Sequence, residues 1–280
     1  MIKLACCIPG GSLMPEGVAE IPKSPAENII DKCRYLLSIG YDCTECGAGM
    51  LLGLSDSELE FIQNENSKRS LNIVAVNSLF PGDWKLSDPK VDKSEYLAYA
   101  ERLFAILESL DIHYAVFGSG RARSIPENNE TDFEDGVDEL YGFILSLANR
   151  AQAHGVVILI EPLRKKESNI FNTVDETGEF VRKADCGGVK LLFDSFHMAE
   201  EKSDVKCVRG YFDIVKHCHI SESPKRTIPG ASDSADLNYN KEFIKELKDG
   251  GYDGVLSVES GFTDFMTEAD SALKYMKSLI

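Results

Sequence analysis

Eight short apolar runs, rich in β-branched and aromatic residues, recur along the chain at 3–8, 41–46, 72–77, 112–117, 156–161, 190–194, 214–220 and 254–259. Between and after them lie stretches whose apolar residues repeat with a helical period, at 25–39, 56–69, 93–110, 133–154, 175–184, 200–212, 241–248 and 264–279. Strands that alternate with helices must run parallel, joined by right-handed crossovers that lay the helices against the sheet. An open doubly wound sheet would satisfy the same alternation. The count of eight, the length of 280 residues and the polar side chains that end several strands favour closure. The chain is therefore expected to form one (β/α)8 barrel domain spanning 1–280.

Local signals agree with this order. Ser24-Pro25-Ala26-Glu27 reads as a capping box with proline at the first helical position, and Ser55-Asp56-Ser57-Glu58 and Thr173-Val174-Asp175-Glu176 repeat the capping pattern. Gly40, Gly155 and Gly250-Gly251 stand where helices should end. No apolar run approaches the roughly 20 residues that span a bilayer. The apolar start, 1–8, is too short for a signal peptide and is stopped by Pro9-Gly10-Gly11. Eight irregularly spaced cysteines in so large a chain suit reduced thiols and a cytoplasmic location better than a disulfide framework, and Cys43-x-x-Cys46 reads as a pair of buried thiols. A formal charge of −16 disfavours nucleic acid and anionic membrane surfaces as partners.

The strands of the second half end in side chains that bind metals. The fifth ends in Glu161, the sixth in Asp194 followed by Ser195-Phe196-His197, the seventh in His217-Cys218-His219, and the eighth in Glu259. In a barrel these ends meet at one mouth, where active sites form. Three carboxylates crowded together repel unless a cation sits among them. Oxygen ligands with one imidazole suit a single divalent ion, Mn²⁺ first, with Mg²⁺, Co²⁺ or Zn²⁺ as alternatives.

These motifs resemble those of the xylose-isomerase-like barrel superfamily, and within it the ketose 3-epimerases. Glu161-Pro162-Leu163 with Glu167, Asn169 and Asn172-Thr173 is similar to their strand-5 motif. Asp194-Ser195-Phe196-His197-Met198 is similar to the strand-6 motif. His219-Ile220-Ser221-Glu222, with Arg226 and Pro229-Gly230, resembles the strand-7 motif, and Val258-Glu259 matches strand 8. The resemblance implies that Glu161, Asp194, His219 and Glu259 bind the metal. It implies that Glu161 and Glu259 move a proton on opposite faces of a ketose through an enediolate, and that His197, Glu167 and Arg226 contact substrate oxygens. It also implies self-association, as a homodimer or homotetramer. His217 is read as pointing outward and structural.

The chain departs from that pattern in places. Arg164-Lys165-Lys166 follows strand 5 where the epimerases usually have Asn-Arg and an apolar residue. One extra residue separates His219 from Arg226. The run Ala231 to Asp236 lacks a histidine those enzymes often carry. Together with Arg121 and Arg123, Arg164 and its two lysines suggest a site for a phosphate or carboxylate on the substrate. Hydroxypyruvate isomerase and inosose isomerase or dehydratase chemistry fit the same ligands. A non-catalytic sugar-binding barrel would not need Glu161 and Glu259 together. An endonuclease IV-like repair enzyme needs three zinc ions, for which five histidines (His113, His154, His197, His217 and His219) and an acidic chain are a poor match.

Overall fold

The computed structural model describes residues 1–11, 23–68, 71–126, 132–231 and 236–280. Eight strands form: β1 (Lys3–Cys7), β2 (Cys43–Gly47), β3 (Ile73–Asn77), β4 (Tyr114–Phe117), β5 (Val157–Ile160), β6 (Val189–Asp194), β7 (Val215–Ile220) and β8 (Val255–Val258). They close in chain order, every neighbouring pair parallel, and β8 returns to β1 with Leu4 opposite Leu256 and Cys6 opposite Val258. The alternation seen in the sequence is thus a closed (β/α)8 barrel.

Side-chain alternation along the strands builds two cores. On β5, Ile158 and Ile160 face the surrounding helices and join the main apolar cluster, while Leu159 packs inside the barrel with Val116 and Leu192. On β1, β2 and β8, Ala5, Cys43 and Val255 make a second apolar patch inside. The next inward position on each strand lies two residues further on, towards the strand's C-terminal end. Those positions are Cys7, Glu45, Glu161, Asp194 and, after Ser257, Glu259. An apolar plug therefore carries a polar layer above it, formed by one parity of residue on each strand.

The helices pack outside. Pro25–Ile39 starts at the capping box read from the sequence: Ser24 Oγ accepts from Glu27 N at 3.2 Å and Glu27 Oε2 accepts from Ser24 N at 2.8 Å. Asp56–Asn66, Ser94–Ser109, Phe133–Ala153, Val174–Ala184, Asp236–Asp249 and Phe265–Leu279 follow the expected order. The expected end of one helix at Arg69, and most of the run from Ala231 to Asp236, lie outside the described residues.

The stretch 200–212 is not the single helix its periodicity suggested. A short helix, Ser195–Glu200, leaves β6 directly, and a separate 3-10 turn spans Val205–Gly210. Two local devices split them. Lys202 adopts a left-handed φ of 55°, and Asp204 Oδ1 caps the turn by accepting from Lys206 N at 2.9 Å. Two more short helices, Ala48–Leu52 and Gly120–Arg123, have too few residues to show a period in sequence. No helix among the described residues is long and apolar enough to cross a membrane.

Candidate metal centre

Strand ends deliver Glu161, Asp194, His219 and Glu259 to one point. One ligand atom from each lies within 4.8 Å of all the others. His219 Nδ1 stands at the middle, 3.2 Å from Glu161 Oε1 and 3.1 Å from Glu259 Oε2. Divalent ions bind oxygen at about 2.0–2.6 Å, so ligands on opposite sides of one ion are roughly 4–5 Å apart. The spacing and the donor set of three carboxylates with one imidazole fit such an ion. Asp194 also caps the helix that follows it, its Oδ1 accepting from Phe196 N at 2.7 Å, which leaves Oδ2 for the centre.

The buried charges set one another's protonation. Burial pushes the Glu161 carboxyl up to about 7, opposed by its hydrogen bond with His219 and reinforced by the charge of Glu259. Burial acts on Glu259 in the same sense, but Arg226 and His219 outweigh it and hold that carboxyl below the usual range. Burial would lower His219; Glu45, Glu259 and Glu161 overcome this and raise it well above an ordinary histidine.

The side chains expected to touch substrate sit around the same point. His197 is buried; its Nδ1 accepts from Arg164 N at 3.2 Å, which makes Nε2 the N–H. That Nε2 has no hydrogen-bond partner among the described residues, is 3.6 Å from Asp194 Oδ2, and belongs to a residue lining the cavity. Burial lowers the His197 pKa, against the pull of Asp194, so the ring stays neutral. Arg226 turns inward. Its Nη2 pairs with Glu259 Oε2 and lies 3.3 Å from Asp194 Oδ2, and its guanidinium stacks over Phe196. Glu167 is held by Arg164 Nε at 2.7 Å and lines the cavity.

That cavity has a volume of about 200 Å³, with Ser78, Phe80, Gly118, Glu161, His197 and Glu259 in its wall. It is smaller than the roughly 300–1,000 Å³ of drug-sized pockets and suits a small polar ligand. A larger cavity of about 490 Å³ lies at the opposite end of the strands, against Lys3, Tyr114, Val215 and Gly254. In barrels that end is the stabilising face rather than the reactive one.

Three sequence expectations change. His217 does not point outward. Residues i and i+2 of a strand share a face, so His217 lies inside below His219, fully buried, with Nε2 2.9 Å from Glu45 Oε2. Arg123 does not offer itself to an anion. It is fully buried, and its guanidinium donates to the carbonyl oxygens of Phe117, Glu161, Ile170 and Phe171 at 2.8–3.3 Å. Arg164 is engaged by Glu167 and by Glu200 at 2.8 Å. Of the three arginines, Arg121 reaches a solvent-facing cavity, beside Lys166.

Two further residues of the site carry no motif in the sequence. Asn77 Nδ2 donates to Glu259 Oε1 at 3.2 Å, and Glu45 binds both strand-7 histidines. An ionisable residue inside the buried run Cys43-Thr44-Glu45-Cys46 was the available signal for the second, because such a group is kept only when paired. The other two histidines serve elsewhere. His154 pairs with Glu101 and Glu108 at the end of its helix, and His113 lines the cavity at the far end of the strands.

Comparison with known proteins agrees with this architecture. A family model described as xylose isomerase-like TIM barrel matches residues 33–279. The chain is 28% identical over 232 residues to a D-psicose 3-epimerase of Agrobacterium fabrum, covering 76% of this chain and 78% of that protein. It is 22% identical over 238 residues to a 3-dehydro-D-guloside 4-epimerase of Escherichia coli, covering 83% and 87% respectively. Its fold superposes with a TM-score of 0.79 on the crystal structure of a D-psicose 3-epimerase from Clostridium cellulolyticum with D-tagatose, at 22% identity and 99% coverage of each chain.

Proposed function

The chain belongs to the xylose isomerase-like TIM barrel family, and from that membership we propose that it is a metal-dependent ketose epimerase, inverting a carbon next to a carbonyl. One observation carries the reading. Glu161 and Glu259 belong to the ligand cluster and also line the small cavity beside it, so the two groups that would hold the ion can also reach the substrate.

Glu161, Asp194, His219 and Glu259 would hold one divalent ion, with Mn²⁺ the favoured occupant and Mg²⁺, Co²⁺ or Zn²⁺ alternatives for the same donors. When bound, the ion supplies an electrophile that polarises a ketose carbonyl and stabilises the enediolate left by C–H abstraction. Of the two glutamates, one takes the proton and the other returns one to the opposite face. His197 presents its Nε2–H to a substrate oxygen, Arg226 holds Glu259 and Asp194 in place while facing the same cavity, and Glu167 accepts from a substrate hydroxyl. The relatives named for sugar epimerisation support the substrate class. All eight cysteines are free thiols, which fits a cytoplasmic location, and self-association into a dimer or tetramer completes the reading.

The test is exchange in D₂O. The Mn²⁺-loaded protein is incubated with D-psicose, D-fructose and D-tagatose, and deuterium is located by NMR. Label entering at C3 supports 3-epimerisation. Label at C1 would make the protein an aldose–ketose isomerase. C4 of these 2-ketoses is not next to the carbonyl, so a 3-dehydro-D-guloside is assayed in parallel, and label at its C4 without label in the free ketoses would move the reaction to the kind named for the Escherichia coli relative. Binding of these sugars without exchange at any carbon would leave a sugar-binding barrel and sink the enzyme reading.

A further inference from the structure

Glu45 stands in the interior of the barrel on β2, fully buried, one layer above the apolar Ala5, Cys43 and Val255. A carboxylate in such a place must be compensated by close hydrogen-bonded partners. Its partners are two rings from β7. Glu45 Oε2 is 2.9 Å from His217 Nε2, and Glu45 Oε1 and Oε2 are 3.0 and 3.3 Å from His219 Nε2.

His219 is one of the four residues of the metal cluster, and its other nitrogen, Nδ1, faces Glu161 and Glu259. The ring is thus gripped at one nitrogen by Glu45 and offers the opposite nitrogen to the centre. His217 takes no part in the cluster. Its Nδ1 has no hydrogen-bond partner among the described residues, so Nε2, facing Glu45, is the atom through which the ring acts. It fixes the carboxylate from below, and the two imidazoles stand edge to face at 5.2 Å.

We propose that Glu45 is a positioning residue that locks the His219 ring with Nδ1 as its metal-ligating atom, and that His217 buttresses Glu45. This rests on the metal centre proposed above. Groups that bind the free nitrogen of a ligand histidine commonly fix its orientation and govern how tightly the ion is held. Here that group is backed by a second histidine. Cys7, Glu45 and His219 could in principle gather a second ion, since their donor atoms also lie within 4.8 Å of one another. The Glu45–His219 hydrogen bond occupies the atoms such an ion would need.

The experiment compares the native chain with Glu45→Gln and His217→Gln. Mn²⁺ affinity is measured by titration calorimetry, the visible spectrum of the Co²⁺ form reports ligand geometry, and the melting temperature is taken on metal-free protein. A glutamine amide can accept from one ring but turns N–H towards the other, so one imidazole must swing. The expected result for Glu45→Gln is Mn²⁺ binding weaker by about 10–100-fold with an altered Co²⁺ spectrum, and melting close to native. His217→Gln, which leaves Glu45 and His219 in place, should weaken binding in the same direction but less. Unchanged Mn²⁺ affinity in both variants, with or without a fall in melting temperature, would reduce Glu45 to a structural role. Two ions per native chain would replace the proposal with a second metal site. A native chain that takes up no Mn²⁺ would remove the centre itself, and this inference with it.

Discussion

Arg123 Nη1 donates to the main-chain carbonyl of Glu161 at 2.8 Å. The same buried guanidinium reaches the carbonyls of Phe117, Ile170 and Phe171, so one side chain ties the ends of β4 and β5 to the loop beyond β5. Each carbonyl left unpaired in a buried place costs about 1–3 kcal/mol. Arg123→Leu is therefore expected to lose roughly 3 kcal/mol or more of stability, measured by urea unfolding. Arg123→Lys should recover only part of this, because an ammonium cannot reproduce the planar fork. A leucine variant that unfolds at the native urea concentration would refute the pin.

Gly118 follows β4 directly, beside the centre. A Cβ placed there would collide with Glu161 Oε2. Gly118→Ala is expected to displace that carboxylate and lower turnover by roughly 100-fold, the scale of a misplacement near 1 Å. Stability should change little, since the clash falls on the far end of a side chain. Native turnover in this variant would show that Glu161 does not need its observed position.

The proposed proton-transfer roles are tested by Glu161→Gln and Glu259→Gln, each assayed at saturating Mn²⁺. Each is expected to slow deuterium exchange from D₂O by about 10²–10⁴-fold, the usual contribution of a general acid or base. Exchange that persists in either variant would take that residue out of the role.

Away from the site, His154 links two helices through Glu108 at 2.7 Å and Glu101 at 3.0 Å. Hydrogen bonds that the ring donates to Glu101 and Glu108 raise its pKa above the ordinary 6.5. Because the folded value is the higher one, the stabilisation is complete below pH 6.5 and is lost as pH rises through the raised folded value. The stability gap between the native chain and His154→Gln should accordingly be widest in mildly acidic buffer and close in alkaline buffer. A gap independent of pH would mean that the ring acts by packing alone.

The barrel and the clustering of Glu161, Asp194, His219 and Glu259 were legible because both are written locally. Each strand is a short apolar run, and Glu161, Asp194, His219 and Glu259 stand at or beside the ends of such runs. Glu45 was not legible. Its partners lie more than 170 residues away on β7, and only closure of the barrel brings β2 and β7 to face each other across the interior. His217 was misplaced by a parity error that the two-residue strand repeat corrects. Arg123 read as a loop cation because nothing local marks an arginine four of whose N–H groups serve the backbone of three separate segments. The split of 200–212 hinged on the left-handed Lys202 together with the Asp204 cap, and a backbone conformation such as that of Lys202 has no sequence period.

The most direct test of the account is elemental analysis of the purified protein beside Asp194→Ala. Asp194 supplies one cluster oxygen and is not one of the two glutamates proposed to move the proton. Because its other oxygen caps the helix Ser195–Glu200, the melting temperature of the variant is taken alongside to separate loss of metal from loss of fold. The expected result is one divalent ion per native chain and none in the variant. Equal metal in both, or none in either after incubation with Mn²⁺, Mg²⁺ or Co²⁺, would contradict the metal centre on which the proposed chemistry depends.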